Sequence, residues 1–352
     1  MGGTTSMWAD GQIPTADEVD ETLVQVGLTQ AVIPKEFIGR SPGQLAWMRL
    51  RRDRTAMISA WVLIFLVAIA LLAKPIQWIY GYDGATQNSG LLDETGTPLG
   101  YLGGIAFTSD NASHHVHIFG VEPSVGRDLF MLVLWGMQTA LIISVVSTVI
   151  STIFGVVVGI VAAYFGGWVD ALINWFIDYM LAFPILLFCL AVIPVINTRL
   201  ADAYGEVSAT KRVMTIIFVF AGFGWMYTAR LVRGQVLSLR EREYVDAARA
   251  AGASVRHILF RQLLPNLWAP ILVTFSLGVP LTITAEAALS FLNIGVVEPT
   301  PDLGRLILNS SYWLGNDPTF LLIPGTAIFV LVLTFNLFGD ALRDALDPRS
   351  SR

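Results

Sequence analysis

The chain alternates between long stretches that lack Asp, Glu, Lys and Arg and short stretches crowded with them. Thr55 to Ala73 is the first uncharged run, and at about 1.5 Å per residue it just crosses a ~30 Å hydrocarbon core. The run from Leu129 to Val169 would be about 60 Å long as one helix, and Gly166-Gly167 supplies a break near its end. The pattern predicts one long, tilted helix from Met131 to Tyr164. A third span covers Tyr179 to Thr198 and extends back past Asp178 to about Ala171. Val213 to Ala229 forms the fourth, Gln262 to Ala285 holds the fifth and Pro318 to Gly339 is the sixth. Alternating ten-residue segments are absent, and only closed barrels satisfy strand backbones in lipid. The expectation is an all-α membrane protein with six transmembrane helices.

Composition agrees with that reading. Hydrophobic residues make up 54% of the 352 positions and charged ones only 14%, where a soluble domain carries about 25% charge. A formal charge of −5 gives no sign of a nucleic-acid partner. Cys189 is the only cysteine, which excludes an intrachain disulfide or a thiolate metal cluster. The first apolar run starts too far along the chain, and lacks a small-x-small site after Ala73, for a cleaved signal peptide. It is expected to remain as an anchor.

Basic residues orient the spans. With six crossings both termini share one side. That side collects Lys35, Arg40, Arg49, Arg51, Arg52 and Arg54, the seven arginines between Arg230 and Arg261, and Arg343, Arg349 and Arg352. The opposite side has Lys74, Arg127, Arg199, Lys211, Arg212 and Arg305, so sixteen stand against six. Both termini are therefore expected in the cytoplasm. Residues 1–40 read as an acidic, mobile tail, and residues 41–54 as a basic interfacial helix capped by Ser41 with Pro42 in its first turn. The first helix takes residues 55–80, an external loop with no strong helix signal 81–128, a five-helix core 129–342, and a cytoplasmic tail 343–352.

The link between the fourth and fifth spans carries the functional signal. Its alanine-rich body, residues 240–252, is a strong helix former. Gly252 stands where a helix end favours a left-handed residue. Ser254 caps a second short helix, Val255 to Leu264, which Pro265 is expected to end. Ala247, Ala248, Ala251 and Gly252 recur at helical spacing, so one face is small enough for another protein to approach closely. Tyr244 and the arginines flank it as anchors. On these features alone a solvated hairpin is an equal alternative.

Asp246-Ala247-Ala248, then Gly252, then Leu264-Pro265 resembles the coupling-helix signature of ABC-importer permeases, which reads Glu-Ala-Ala, three residues, Gly, nine residues, Ile-x-Leu-Pro. Asp246 replaces Glu with its charge kept, and Gln262 replaces Ile. Beyond Ser41 the chain is similar to the C-type subunit of the dipeptide/oligopeptide branch. The landmarks are Gly126-Arg127-Asp128, Ala163-Tyr164-Phe165-Gly166-Gly167, Leu181-Ala182-Phe183-Pro184, Glu286 to Leu292 and Pro324 to Arg349. Asn293 stands where the family commonly has Gly, and residues 84–116 fit its pattern poorly.

The resemblance implies a type I ABC-importer transmembrane fold in a bacterial or archaeal cell membrane. This chain would supply half of a translocation pathway, pairing with a homologous permease subunit. Two ATPase subunits, separate or fused, would bind ATP and Mg below, and an external binding protein would deliver a dipeptide or oligopeptide. Relatives that carry nickel or other small solutes are the alternative. The implied docking residues are Tyr244, Asp246, Ala247, Ala248, Ala251, Gly252, Leu264 and Pro265. The chain itself is not expected to be an enzyme. A P-loop needs Gly-Lys before Ser or Thr, yet Lys35, Lys74 and Lys211 follow Pro34, Ala73 and Thr210.

Other signals have blander readings. Gly39-Arg40-Ser41-Pro42-Gly43 matches a nucleophile-elbow pattern but lacks the strand and partner His that the motif needs, so Ser41 reads as a cap. His114, His115 and His117 are candidate metal ligands, with an ordinary loop as the alternative. Gly155, Gly159 and Ala163 form a packing seam, and Gly222 and Gly224 read likewise. Pro184, Pro194, Pro280 and Pro324 bend their helices. Asp178 and Glu286 are the acidic residues closest to the spans. They are candidates for the pathway or its gate, against structural hydrogen bonding near the membrane interface. A secondary transporter or a membrane-embedded enzyme would be the rival classes. No intramembrane charge relay and no His/Asp/Ser constellation at membrane depth speaks for either.

Overall fold

The computed structural model describes residues 42–99, 117–202, 205 and 207–347. The acidic tail 1–40, the Ser41 cap, His114 and His115, and residues 348–352 lie outside the described residues. The chain divides into units 1–44 and 45–352. Of the first, the structure describes the opening turn of one helix, and the second carries the rest of that helix and all the others.

All regular structure among the described residues is helical, with two isolated bridges (Leu92 with Pro98, Val121 with Asp128) in one loop. Helix α1 is Pro42–Arg52, and α2, Arg54–Leu71, starts on Asp53. The Asp53 carboxylate accepts from the Thr55 and Ala56 N–H groups at 2.8 and 3.3 Å, satisfying two donors that a helix start leaves open. Helix α3 is Ala73–Tyr80, so the expected first helix of residues 55–80 is two segments broken at Leu72. Helix α4, Leu129–Phe165, is the long element expected, ending where Gly166 and Gly167 take positive φ.

The third expected span departs from expectation. It is two helices, α5 (Gly167–Leu181) and α6 (Ile185–Leu200), bent by 86° across residues 182–184. Pro184 cannot donate to the ladder, and its ring disfavours helical backbone at Phe183. Helix α7 is Ala209–Leu239, α8 Glu243–Ala250, α9 Trp268–Phe291, α10 Leu303–Ser311 and α11 Thr319–Leu346. Five stretches are long and apolar enough to cross a membrane: α2, α4, α7, Val255–Phe291 and α11. The α5–α6 pair makes a sixth if counted as one.

Three further differences have local causes. Pro265 does not end the link. Its ring lies in the first turn of a 3-10 segment, Leu264–Leu267, where no N–H is needed, and the chain winds through it from a π turn, Ile258–Leu263, into α9. The last helix runs past residue 342 to Leu346, because Ala341 and Ala345 pack against Leu50 and Ala56. Helix α10 was not foreseen. Its amphipathic nine residues sit between the fifth and sixth spans, capped by Asp302, which accepts from the Arg305 N–H at 2.9 Å.

The central seam is α4 against α7. A Cβ on Gly155 would stand 2.6 Å from the Trp225 carbonyl oxygen, and one on Gly159 would stand 2.6 Å from that of Ala229. Only glycine lets the two backbones approach so closely. Gly224 faces the Ser151 side chain, whereas Gly222 has no neighbour within 4 Å and is no part of the seam. A second core gathers Leu132 and Val133 of α4, Ile283 of α9, Leu303 of α10 and Phe320 and Leu331 of α11.

Candidate docking site

Helix α8 is a short knob held by one buried side chain. Val245 is fully buried among Val156, Ile160, Val232, Val236 and Ile258, drawn from α4, α7 and the π turn. Burying such a side chain contributes about 1.5–3 kcal/mol. The rest of the helix turns outward. Glu243, Asp246, Ala247, Arg249, Ala250, Ala251 and Gly252 are exposed, Ala248 is half-buried and Tyr244 stands at the exposed edge.

Termination follows the backbone chemistry foreseen for Gly252. Its φ is +76°, the Gly252 N–H donates to the Arg249 carbonyl at 2.9 Å and the Ala253 N–H donates to the Ala248 carbonyl at 3.0 Å. A left-handed residue closes the helix so that the carbonyls of its last turn find donors. Glu243 and Asp246 lie in the first turn and Arg249 in the last, each favoured by the helix dipole. Regular helix spans 243–250 rather than 240–252, since Arg240 to Arg242 form the turn that leaves α7.

Several contacts fix the knob's angle. Arg249 reaches Asp246 at 3.2 Å and lies 5.8 Å above the Tyr164 ring at the end of α4. Arg240 Nη1 donates to the Ala163 carbonyl at 2.7 Å, tying the ends of α4 and α7 together. Asn266 Nδ2 donates to the Tyr244 hydroxyl at 3.5 Å. Ser254 Oγ accepts from the His257 N–H at 3.4 Å, the cap expected there. Of the expected docking residues, Ala247, Ala251 and Gly252 share the exposed small face with Asp246 beside them. Leu264 packs against the core and the adjacent Pro265 is exposed. Val245, which holds the knob, has no place in the coupling signature, although a lone valine amid alanines and charges was a usable signal.

The two acidic candidates occupy different surroundings. Asp178, at the end of α5, is exposed and ion-paired with Arg230 of α7. One turn further along α7, Arg233 makes a two-pronged contact with Asp170, at 2.5 and 2.6 Å. Glu286 is wholly buried in α9. Its Oε1 accepts from Ser290 Oγ at 3.0 Å, and its carboxyl lies beside that of Asp302 at the start of α10. Among the described residues, neither Glu286 Oε2 nor Asp302 Oδ2 accepts a hydrogen bond.

At the same end, Asp128 caps α4 by accepting from the Met131 N–H at 2.8 Å. Its Oδ2 accepts from the Tyr80 hydroxyl at 2.9 Å and lies 2.6 Å from His117 Nδ1. His117 is therefore engaged with Asp128 and is buried against the Tyr82 ring. Arg127 bridges Glu122 at 2.6 Å and Glu298 at 3.0 Å, joining the loop before α4 to the loop after α9.

An apolar bundle of five or six membrane-length stretches, with an exposed small-faced helix at one end, defines a multi-pass membrane protein. Residues 155–352 match the family described as binding-protein-dependent transport system inner membrane component. Residues 41–95 match the N-terminal TM domain of oligopeptide transport permease C. The glutathione transport system permease protein GsiD of Escherichia coli O6:K15:H31 is 35% identical over 328 residues, covering 92% of this chain and 96% of the relative. Its namesake in Shigella boydii serotype 4 is 36% identical over 313 residues, covering 88% and 91%. The chain belongs to the family of binding-protein-dependent transport system inner membrane components, as an ABC-importer permease of the inner membrane.

Proposed function

We propose that this permease imports peptides, forming half of a pathway with a homologous permease chain and taking its drive from ATPase subunits seated on α8. The exposed face of Ala247, Ala251 and Gly252 on a knob anchored by Val245 carries the reading. A surface without bulky side chains admits a pocket on another protein, while Val245 and Arg249 tie its movement to the ends of α4 and α7. Force on the knob therefore reaches two helices that pack as one unit along the Gly155–Gly159 seam.

The remaining assignments rest on the same reading. An external binding protein delivers the solute at the end where Asp128, His117 and Arg127 knit the loops, and both termini lie in the cytoplasm with α8. ATP and Mg belong to the partner ATPases, and this chain holds no cofactor. Glutathione, named for the GsiD relatives, is a peptide, and the match to an oligopeptide-permease domain favours the same class of solute. The test is reconstitution with the homologous permease, the ATPases and the binding protein. Peptide uptake is expected only with all components and ATP, and uptake without the ATPases would overturn the proposal.

A further inference from the structure

Helix α10 is pressed onto α9 closely enough to bring two acidic side chains together. A Cβ on Gly304 would overlap the Ala287 carbonyl oxygen, so only glycine lets the start of α10 rest on α9 there. Leu303 and Leu306 drop into the core with Leu132, Ile283 and Phe320, which fixes the depth of the contact. Asp302 stands two residues before Gly304 and Glu286 next to Ala287, and they are 2% and 0% exposed. Their carboxyls lie within hydrogen-bonding reach of each other.

The donors around this pair are already spent. Ser290 Oγ has one proton, which it gives to Glu286 Oε1 at 3.0 Å, while the same oxygen accepts from the Val296 N–H at 3.3 Å. Asp302 Oδ1 takes the Arg305 N–H at 2.9 Å. Glu286 Oε2 and Asp302 Oδ2 are left over, and no donor among the described residues reaches either. Charged groups on the neighbouring elements are engaged elsewhere. Arg127 holds Glu122 and Glu298, Asp128 at the start of α4 is shared by His117 and Tyr80, and Asp317 ahead of α11 accepts from the Thr319 N–H. Among the described residues Arg305 forms no ion pair, and its Nε is unpartnered. Two adjacent carboxylates in a site nearly closed to water cannot both stay charged. One proton between them turns the two orphaned oxygens into a donor and an acceptor.

We propose that Glu286 and Asp302 hold one proton between them, a hydrogen bond that latches α10 onto α9 and lets go in an alkaline medium. Asp302 borders a surface cleft lined by Arg127, Glu298, Arg305 and Asn309, through which the proton exchanges with solvent. Once the proton is lost, two negative charges face each other and α10 lifts from α9. Helix α10 packs between α9 and α11 and against α4, so its lifting opens that end of the bundle. That the medium is the external one rests on the proposed orientation, whereas the shared proton rests on the geometry of the pair alone.

The test uses the full chain in lipid nanodiscs, where both faces meet the same buffer. Infrared difference spectra between neutral and alkaline pH are expected to show the loss of a protonated-carboxyl band in the wild type and no such band in Glu286→Gln. A wild type without the band, or a band that survives in Glu286→Gln, would overturn the proposal. Movement is read at Ser310→Cys, because Ser310 is fully buried in α10. Raising the pH is expected to speed maleimide labelling there at least tenfold more than in the same chain carrying Glu286→Gln or Asp302→Asn. Either amide keeps the hydrogen bond without an exchangeable proton, and Asp302→Asn also keeps an oxygen to cap α10. Ionisation of the thiol itself is common to all three chains and cancels. Equal acceleration in all three would remove the latch. A requirement for sodium or calcium with no carboxyl band would give the pair to a cation and contradict the shared proton. None of these readings needs substrate or ATPase, so a failure of the proposed import leaves them standing, and their failure leaves the import untouched.

Discussion

The two ends of the bundle treat charge in opposite ways. At the α8 end, Glu243, Asp246 and Arg249 stand in the open beside a bare alanine face, and one valine holds the element down. At the far end, Asp128, His117, Glu122, Glu286 and Asp302 are all buried and each makes at least one hydrogen bond inside the chain, Glu286 to Ser290 and Asp302 to the Arg305 N–H. Exposed charge on a lightly anchored helix suits a surface that another protein grips and moves. Buried polar groups in a network suit loops that must hold their shape, because removing one partner strands another in a site water does not reach. On the proposed reading, the difference separates an element that would receive force from a frame that would resist it.

The sharpest way to break this contrast is to release the knob. Val245→Asp places an unpaired charge among Val156, Val232 and Ile258, with an expected cost of several kcal/mol. Uptake is expected to vanish while basal ATP hydrolysis persists, as measured in proteoliposomes. Normal uptake would show that α8 need not be anchored. Next in size, Ala247→Trp fills the exposed face without disturbing the core, so folding is expected to change by less than about 0.5 kcal/mol. ATPase co-purification and uptake should still fall at least tenfold.

The far end should respond the other way. Asp128→Ala removes the cap of α4 and the carboxylate that the Tyr80 hydroxyl and His117 Nδ1 share, for an expected loss of about 2–4 kcal/mol. The thermal midpoint is expected to drop while the ATPases stay bound, and their release would merge the two ends into one cooperative unit. Smallest is Gly252→Ala. Space is open around Gly252, so only its positive φ resists, at about 1 kcal/mol. A modest fall in coupling is expected, read as uptake per ATP hydrolysed.

Much of this was legible in the chain. Charge-free runs locate helices well because a bilayer tolerates few alternatives, and α2, α4, α7 and α11 lie where those runs place them. Gly252 was readable because few residues accept its backbone. The misreadings share a cause, which is that composition sets burial but not direction. Ala171 to Thr198 is apolar throughout, and only Pro184 hinted that it turns through 86°. Pro265 looked like a stop, yet π and 3-10 turns carry the chain past it. The pairs Asp170–Arg233 and Asp178–Arg230 join residues over fifty positions apart, a separation no local pattern reports. Glu286 and Asp302 meet only because α10 folds back on α9, and α10 itself is too short to register as a span.

One labelling experiment addresses the central claim directly. Cys189 is buried, so a cysteine introduced by Ala251→Cys gives a single reactive site on the α8 knob. A membrane-impermeant maleimide is expected to leave intact cells unlabelled, to label inverted vesicles stripped of ATPase, and to fail again once the ATPases are rebound. Labelling from outside the cell, or labelling unaffected by the ATPases, would contradict the account.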